Sequence, residues 1–185
     1  MKKLFLILAV CSVFVSANAF AASPIRLIGL EAGYVSPDVD GLDSVDGTWV
    51  AGAFLDFGLP ATNLYVSPFI NYWSSSTEIP GGPTNDELNL RDFSLGANLK
   101  FTIPTASVRF QPFIAAGVSV NMMNAEQTGF ESNSETKFGF QGGAGFKIGL
   151  NESMSALGSG WYNVISNDTG DVKNWSLRAG VGFNM

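Results

Sequence analysis

Residues 174–185 read NWSLRAGVGFNM, and in them Trp175, Leu177, Ala179, Val181, Phe183 and Met185 alternate without a break with Asn174, Ser176, Arg178, Gly180, Gly182 and Asn184. A period of two places the sets on opposite faces of an extended strand. One face is oily. The other holds glycine, serine, asparagine and one arginine, a poor exterior toward water but a good fit to a narrow, crowded, polar lumen. With aromatics near both ends of the oily face, the stretch reads as the closing strand of a barrel whose outside meets hydrocarbon.

The same alternation runs back along the chain. Residues 25–36 set Ile28, Leu30, Ala32 and Tyr34 against Gly29, Glu31 and Gly33, and 48–59 set Trp49, Ala51, Ala53, Leu55 and Phe57 against Gly52, Phe54, Asp56 and Gly58. In 64–73, Val66, Pro68, Ile70 and Tyr72 oppose Tyr65, Ser67, Phe69, Asn71 and Trp73; in 88–103, Phe93, Leu95, Leu99 and Phe101 oppose Asp92, Ser94, Gly96, Asn98 and Lys100. Residues 108–122 and 136–149 follow suit, with Arg109, Gln111, Phe113 and Asn121, then Lys137, Gln141 and Lys147, on the polar side. In 154–165 the facing is ambiguous, because Trp161 and Tyr162 point opposite ways; Tyr162 is expected outward.

With the closing stretch this makes eight strands, whose connections alternate between long and polar (37–47, 74–87, 123–135, 166–173) and short (60–63, 104–107, 150–153). That asymmetry belongs to transmembrane barrels, with long external loops and short periplasmic turns. The oily strips have the length of about ten residues that a tilted strand needs to cross a bilayer. A sheet in lipid must close, since edge amides would have no water to bond. The expected fold is all-β: a closed, eight-stranded, antiparallel, up-and-down transmembrane β-barrel in a Gram-negative-type outer membrane, with both termini periplasmic. A secreted lipocalin-like barrel, oily face inward, is the competing fold; the Gly/Ser/Asn face and the loop asymmetry speak against it.

Residues 1–21 carry the signs of a cleaved export signal: Lys2 and Lys3, an apolar run to Val15, and small residues offering cleavage at Ala19, Ala21 or Ala22. The barrel is then 22–185. Cys11, the chain's one cysteine, would leave with the signal, so no disulfide is expected. There is no histidine either. That removes the usual general base, and neither a catalytic site nor a cofactor or metal is expected. An acidic balance of −6 argues against nucleic acid as a partner.

The sixteen acids are unevenly spread. Asp38, Asp40, Asp43, Asp46, Glu78, Asp86, Glu87, Glu126, Glu131, Glu135, Asp168 and Asp171 fall in the long connections, offset there by Lys173. On the polar strand faces sit Glu31, Asp56, Asp92, Lys100, Arg109, Lys137, Lys147 and Arg178. Inside a narrow barrel such charges are desolvated and should pair; Glu31 and Arg178, at similar heights on the two strands that meet at closure, are expected to bridge the seam. The acidic run 38–47 does not match the EF-hand spacing and reads as a solvated loop. Outer-membrane lipid and lipopolysaccharide, directly or through divalent cations, are the expected partners; Arg91 reads equally as a contact to their phosphates or as an ordinary interfacial arginine. Outward aromatics form interfacial girdles. Inward Phe54, Phe69 and Phe113 either pack on facing glycines or line a path for hydrophobic solutes.

Ser67-Pro68-Phe69-Ile70 and Gln111-Pro112-Phe113-Ile114 nearly repeat, each a few residues above a short turn. The stretch 111–120, QPFIAAGVSV, resembles the P-Y/F-x-G/A-x-G-x-G strand of the small outer-membrane β-barrel superfamily, and 138–147, FGFQGGAGFK, is similar to the glycine-rich strand that follows it there. The resemblance covers the mature chain as a pattern. It implies a barrel like the OmpA transmembrane domain or the OmpX/Ail group, inserted by the barrel-assembly machinery, monomeric, with a structural or adhesion-type role. OmpW-like members imply the alternative, passage of small hydrophobic molecules. The chain departs from full-length OmpA in lacking a peptidoglycan-binding domain after the barrel, and it ends in Met185 where many such barrels end in phenylalanine.

Overall fold

The computed structural model describes residues 25–39, 46–60, 62–78, 87–107, 109–127, 133–166 and 171–185. Residues 1–21, read above as an export signal, and most of the acidic run 38–47 lie outside them. The strands are β1 (Ile25–Val39), β2 (Thr48–Gly58), β3 (Leu64–Glu78), β4 (Glu87–Thr102), β5 (Phe110–Gln127), β6 (Asn133–Gly149), β7 (Met154–Ile165) and β8 (Val172–Asn184). Each pairs antiparallel with its neighbour in sequence, and β8 returns to β1 to close the barrel. At that seam Leu27 faces Asn184 and Val39 faces Val172, so no edge is left open along the closing pair.

The period of two decides the facing. On β8, Leu177 is 60% exposed while its neighbour Ser176 is 1% exposed. Leu30, Ile70, Leu99, Ile114, Phe140 and Val181 likewise look outward, whereas Ser67, Asn71, Asn98, Ser119 and Gln141 are buried in the lumen. Tyr162 points outward, as expected, and Leu157 inward. The soluble, inside-greasy arrangement is thereby excluded. Outward rings gather at two heights. Tyr34–Trp175 and Trp49–Tyr72 pair near the long-connection end, and Phe110–Phe146 near the tight-turn end, with centroids 5.9, 5.7 and 5.9 Å apart. These are the two interfacial girdles.

The strands run further than the oily strips. Residues 74–78, 123–127 and 133–135, expected as loop, continue the β3–β4 and β5–β6 ladders, so that Ser76 faces Asn89 and Asn124 faces Ser134. Hydropathy stops at the girdle but backbone pairing does not, because a ladder beyond the bilayer still satisfies its amides whatever side chains it carries. There Ser76 Oγ donates to Asn89 Oδ1 at 2.5 Å on the exposed face. The short turns are tied locally. Asn151 Oδ1 accepts the amides of Ser153 and Met154 at 2.9 and 2.8 Å, an Asx turn that starts β7.

Candidate functional site: the barrel lumen

The three inward phenylalanines share one device. Phe54 stands opposite Gly29, Phe69 opposite Gly96 and Phe113 opposite Gly145. A Cβ on Gly96 would lie 2.6 Å from the Phe69 ring, and one on Gly145 2.6 Å from the Phe113 ring. Only glycine leaves room for a ring to lie flat against the opposing strand. The twin Pro-Phe-Ile stretches place two of these rings.

Within the rings sits a charge pair. Lys100 Nζ and Asp56 Oδ2 form a buried salt bridge, and Ser67 Oγ donates to Asp56 Oδ1 at 2.6 Å. The ammonium also lies 4.8, 4.9 and 5.9 Å from the ring centroids of Phe54, Phe113 and Tyr65, within cation–π range. Phe54 and Phe113 therefore form a collar around a lysine.

One storey higher, Glu31 Oε1 accepts from Ser159 Oγ at 3.1 Å, and Ser159 Oγ in turn accepts from Trp161 Nε1 at 3.0 Å. Arg178 donates through Nε to Ser176 Oγ at 3.1 Å and through Nη1 to Asn71 Oδ1 at 2.9 Å, reaching across the lumen to β3. The direct Glu31–Arg178 bridge is not among the salt bridges of the described residues. Glu31 stands opposite Gly180 and Arg178 opposite Gly33, a diagonal pair on neighbouring strands, yet the hydrogen bonds of each head group go to neutral partners. The two still line one cavity of about 20 Å3. Gln141 Nε2 donates to Asn98 Oδ1 at 2.6 Å beside it.

Toward the long-connection end the lumen holds amides and hydroxyls beside a buried apolar cluster of Val35, Val50, Trp73 and Leu90. Asn163 Nδ2 donates to Asn174 Oδ1 at 2.8 Å, and Asn121 Nδ2 to Ser119 Oγ at 3.0 Å. Asp92 is buried there, hydrogen-bonded to the Trp73 side chain, with Oδ1 unpartnered. It is a lumen carboxylate outside any ion pair of the described residues. The cavity beside it holds about 10 Å3.

The remaining expected lumen charges sit at the ends. Lys137 pairs with Glu135 at 2.8 Å, two residues along β6. Lys147 faces a tight-turn-end recess that Arg109 also lines. Arg109 itself is exposed and precedes β5, so it belongs to the mouth and not to the lumen. Its polar parity was legible; the end of the strand beside a turn was not.

Ser67, Asp56 and Lys100 form the one contiguous serine–carboxylate–lysine set described. Its serine donates to the carboxylate and the lysine pairs with that carboxylate, while Asp56 and Lys100 also line the tight-turn-end cavity of about 420 Å3. Among the described residues no group of His, Cys, Asp and Glu could hold a metal ion.

A closed sheet that is oily outside, girdled twice and packed with polar side chains within defines a small integral β-barrel of the outer-membrane class. The chain belongs to the outer membrane protein beta-barrel domain family, whose model matches residues 7–184. No curated protein sequence matches it. Among solved structures, Neisserial surface protein A is similar, with 16% identity, a TM-score of 0.70, and coverage of 90% of this chain and all of that one. Ail, the attachment invasion locus protein of Yersinia pestis, has 17% identity, a TM-score of 0.52, and coverage of 85% and 99%. The outer membrane enzyme PagL has 19% identity, a TM-score of 0.53, and coverage of 83% and 97%. At these identities the likeness is one of fold, and the fold accommodates both enzymes and other barrels.

Proposed function

We propose that this outer-membrane barrel has a structural and surface-interaction role, delivered by acidic external segments on a barrel closed at its waist. The observation that carries this reading is the packed waist itself. Between the Lys100–Asp56 pair and the Asn163–Asn174 bond, the internal cavities hold about 20 and 10 Å3, too little for a solute path. The same packing favours a non-catalytic role and speaks against OmpW-like passage of hydrophobic molecules. In this reading residues 1–21 are removed on export, both termini face the periplasm, the barrel-assembly machinery inserts the chain, and the barrel is a monomer.

At the long-connection end the acids with described side chains are Asp38, Asp46, Glu135 and Asp171, beside Arg91, Lys137 and Lys173, and the sequence adds further acids to the same connections. Ail has been solved in complex with the heparin analogue sucrose octasulfate, a polyanion. An acidic rim favours the opposite class: cationic surfaces, or lipopolysaccharide phosphates bridged by divalent cations. Swelling of liposomes carrying the purified barrel tests the closed waist. The expected outcome is swelling no faster than in empty liposomes, whereas entry of small sugars at porin-like rates would overturn the reading.

A further inference from the structure

The tight-turn mouth of the barrel is built differently from the acidic rim at the other end. It opens as a cavity of about 420 Å3 whose wall includes Arg26, Tyr65, Gln111 and Lys147. A neighbouring recess of about 350 Å3 shares Gln111 and Lys147 and adds Arg109 and Glu152. Lys100 also reaches the mouth, but Asp56 already neutralises it. That leaves Arg26, Arg109 and Lys147 facing Glu152, a local excess of cations in a chain whose net charge is −6. Neither salt bridge of the described residues involves any of the three.

Two local features aim these cations inward. Strand β1 is irregular at this point, the register with β2 shifting between Ile25 and Leu27. A bulge of that kind re-aims one side chain, and the one concerned is Arg26. A Cβ on inward-facing Gly58 would lie 3.0 Å from Arg26 Cγ, so the arginine stem crosses the strand into the mouth, over a glycine that leaves it room. Arg109 is fixed by its carbonyl, which accepts the Gly149 amide at 2.8 Å and sets the residue beside the strand that carries Lys147. Two guanidinium forks and an ammonium around one open recess repel one another when empty. They suit an anion with several oxygens.

We propose that this mouth, through Arg26, Lys147 and Arg109, binds a small phosphate-bearing anion on the periplasmic side. Its phosphate comes either from a soluble phosphate compound or from the headgroup of an inner-leaflet anionic lipid. The shared chemistry is a phosphate held by charge-assisted hydrogen bonds, which weaken as salt rises.

The test uses the full barrel in phosphatidylcholine nanodiscs, titrated with inorganic pyrophosphate and followed through the backbone amide signals of Gly58 and Gly149. Saturable shifts that weaken with salt are expected. Arg26→Gln with Lys147→Gln should weaken binding by at least about tenfold, each single change should weaken it less, and Lys173→Gln at the opposite end should leave it unchanged. Heat-modifiability gels verify that each variant is folded, and the single variants serve where the double one is not. In nanodiscs containing phosphatidylglycerol, shifts present before pyrophosphate is added, with a blunted titration, assign the phosphate to lipid. An unaltered titration assigns it to a soluble anion. Amides that move with neither, or that move equally in the Arg26 and Lys147 variants, would overturn the proposal.

Discussion

Asp56 and Asp92 are both lumen carboxylates, 4% and 2% exposed, yet the barrel treats them in opposite ways. Asp56 has an ammonium on one oxygen, a hydroxyl on the other and aromatic rings around the pair. Asp92 has Trp73, an orphan oxygen and a neighbourhood of amides and hydroxyls. The lower storey is a closed electrostatic unit in which removing one member strands the other. The upper storey is a network of amides and hydroxyls around a carboxylate with no ion pair among the described residues, and its members are more nearly interchangeable. Stability against mutation should therefore differ sharply between two acids of equal burial.

The largest effect is expected from Lys100→Met, which leaves Asp56 buried and unpaired. A loss of about 3–5 kcal/mol is expected in urea unfolding from lipid vesicles, and adding Asp56→Asn should recover much of it. Equal losses in the single and double variants would show that the pair is not a unit. Next comes Gly96→Ala. Its new Cβ would clash with the Val118 backbone oxygen and meet the Phe69 ring at 2.6 Å, so strand and ring must both shift, at a cost of about 1–3 kcal/mol; Phe69→Leu in the same chain should relieve only the ring's share. In the upper storey, Asp92→Asn should change stability by less than about 1 kcal/mol, since the lost charge had no cationic partner. A loss as large as that of Lys100→Met would mean that the two storeys are built alike. Smallest of all, Lys173→Gln at the long-connection end should fall within about 0.5 kcal/mol of the parent by the same measurement.

How much of this was legible in the chain follows from what each feature depends on. Facing is local: Leu177 against Ser176, or Phe113 against Ile114, can be read from the residue numbers, and strand number and closure follow from it. The Phe-over-Gly stacking was half legible, since inward rings and inward glycines were both visible but their register was not. Partnership across the lumen is not local. Whether Arg178 meets Glu31 or Asn71 depends on the stagger accumulated around eight strands, and no spacing in the sequence records it. The strand extensions at 74–78 and 123–127 were hidden for another reason. Their outward residues are polar because they stand beyond the bilayer, and polarity without alternation looks like loop. Arg26 escaped notice because a bulge, not the parity of the strand, turns it into the mouth.

The assignment to a membrane rests on which side of the sheet touches hydrocarbon, and paramagnetic labels on lipid acyl chains test it directly. In labelled nanodiscs the side-chain signals of Leu177, Val181 and Ile114 should broaden strongly while those of Asn71, Asn98 and Gln141 stay sharp. Broadening of the asparagine and glutamine signals, with the leucine and valine signals untouched, would contradict it.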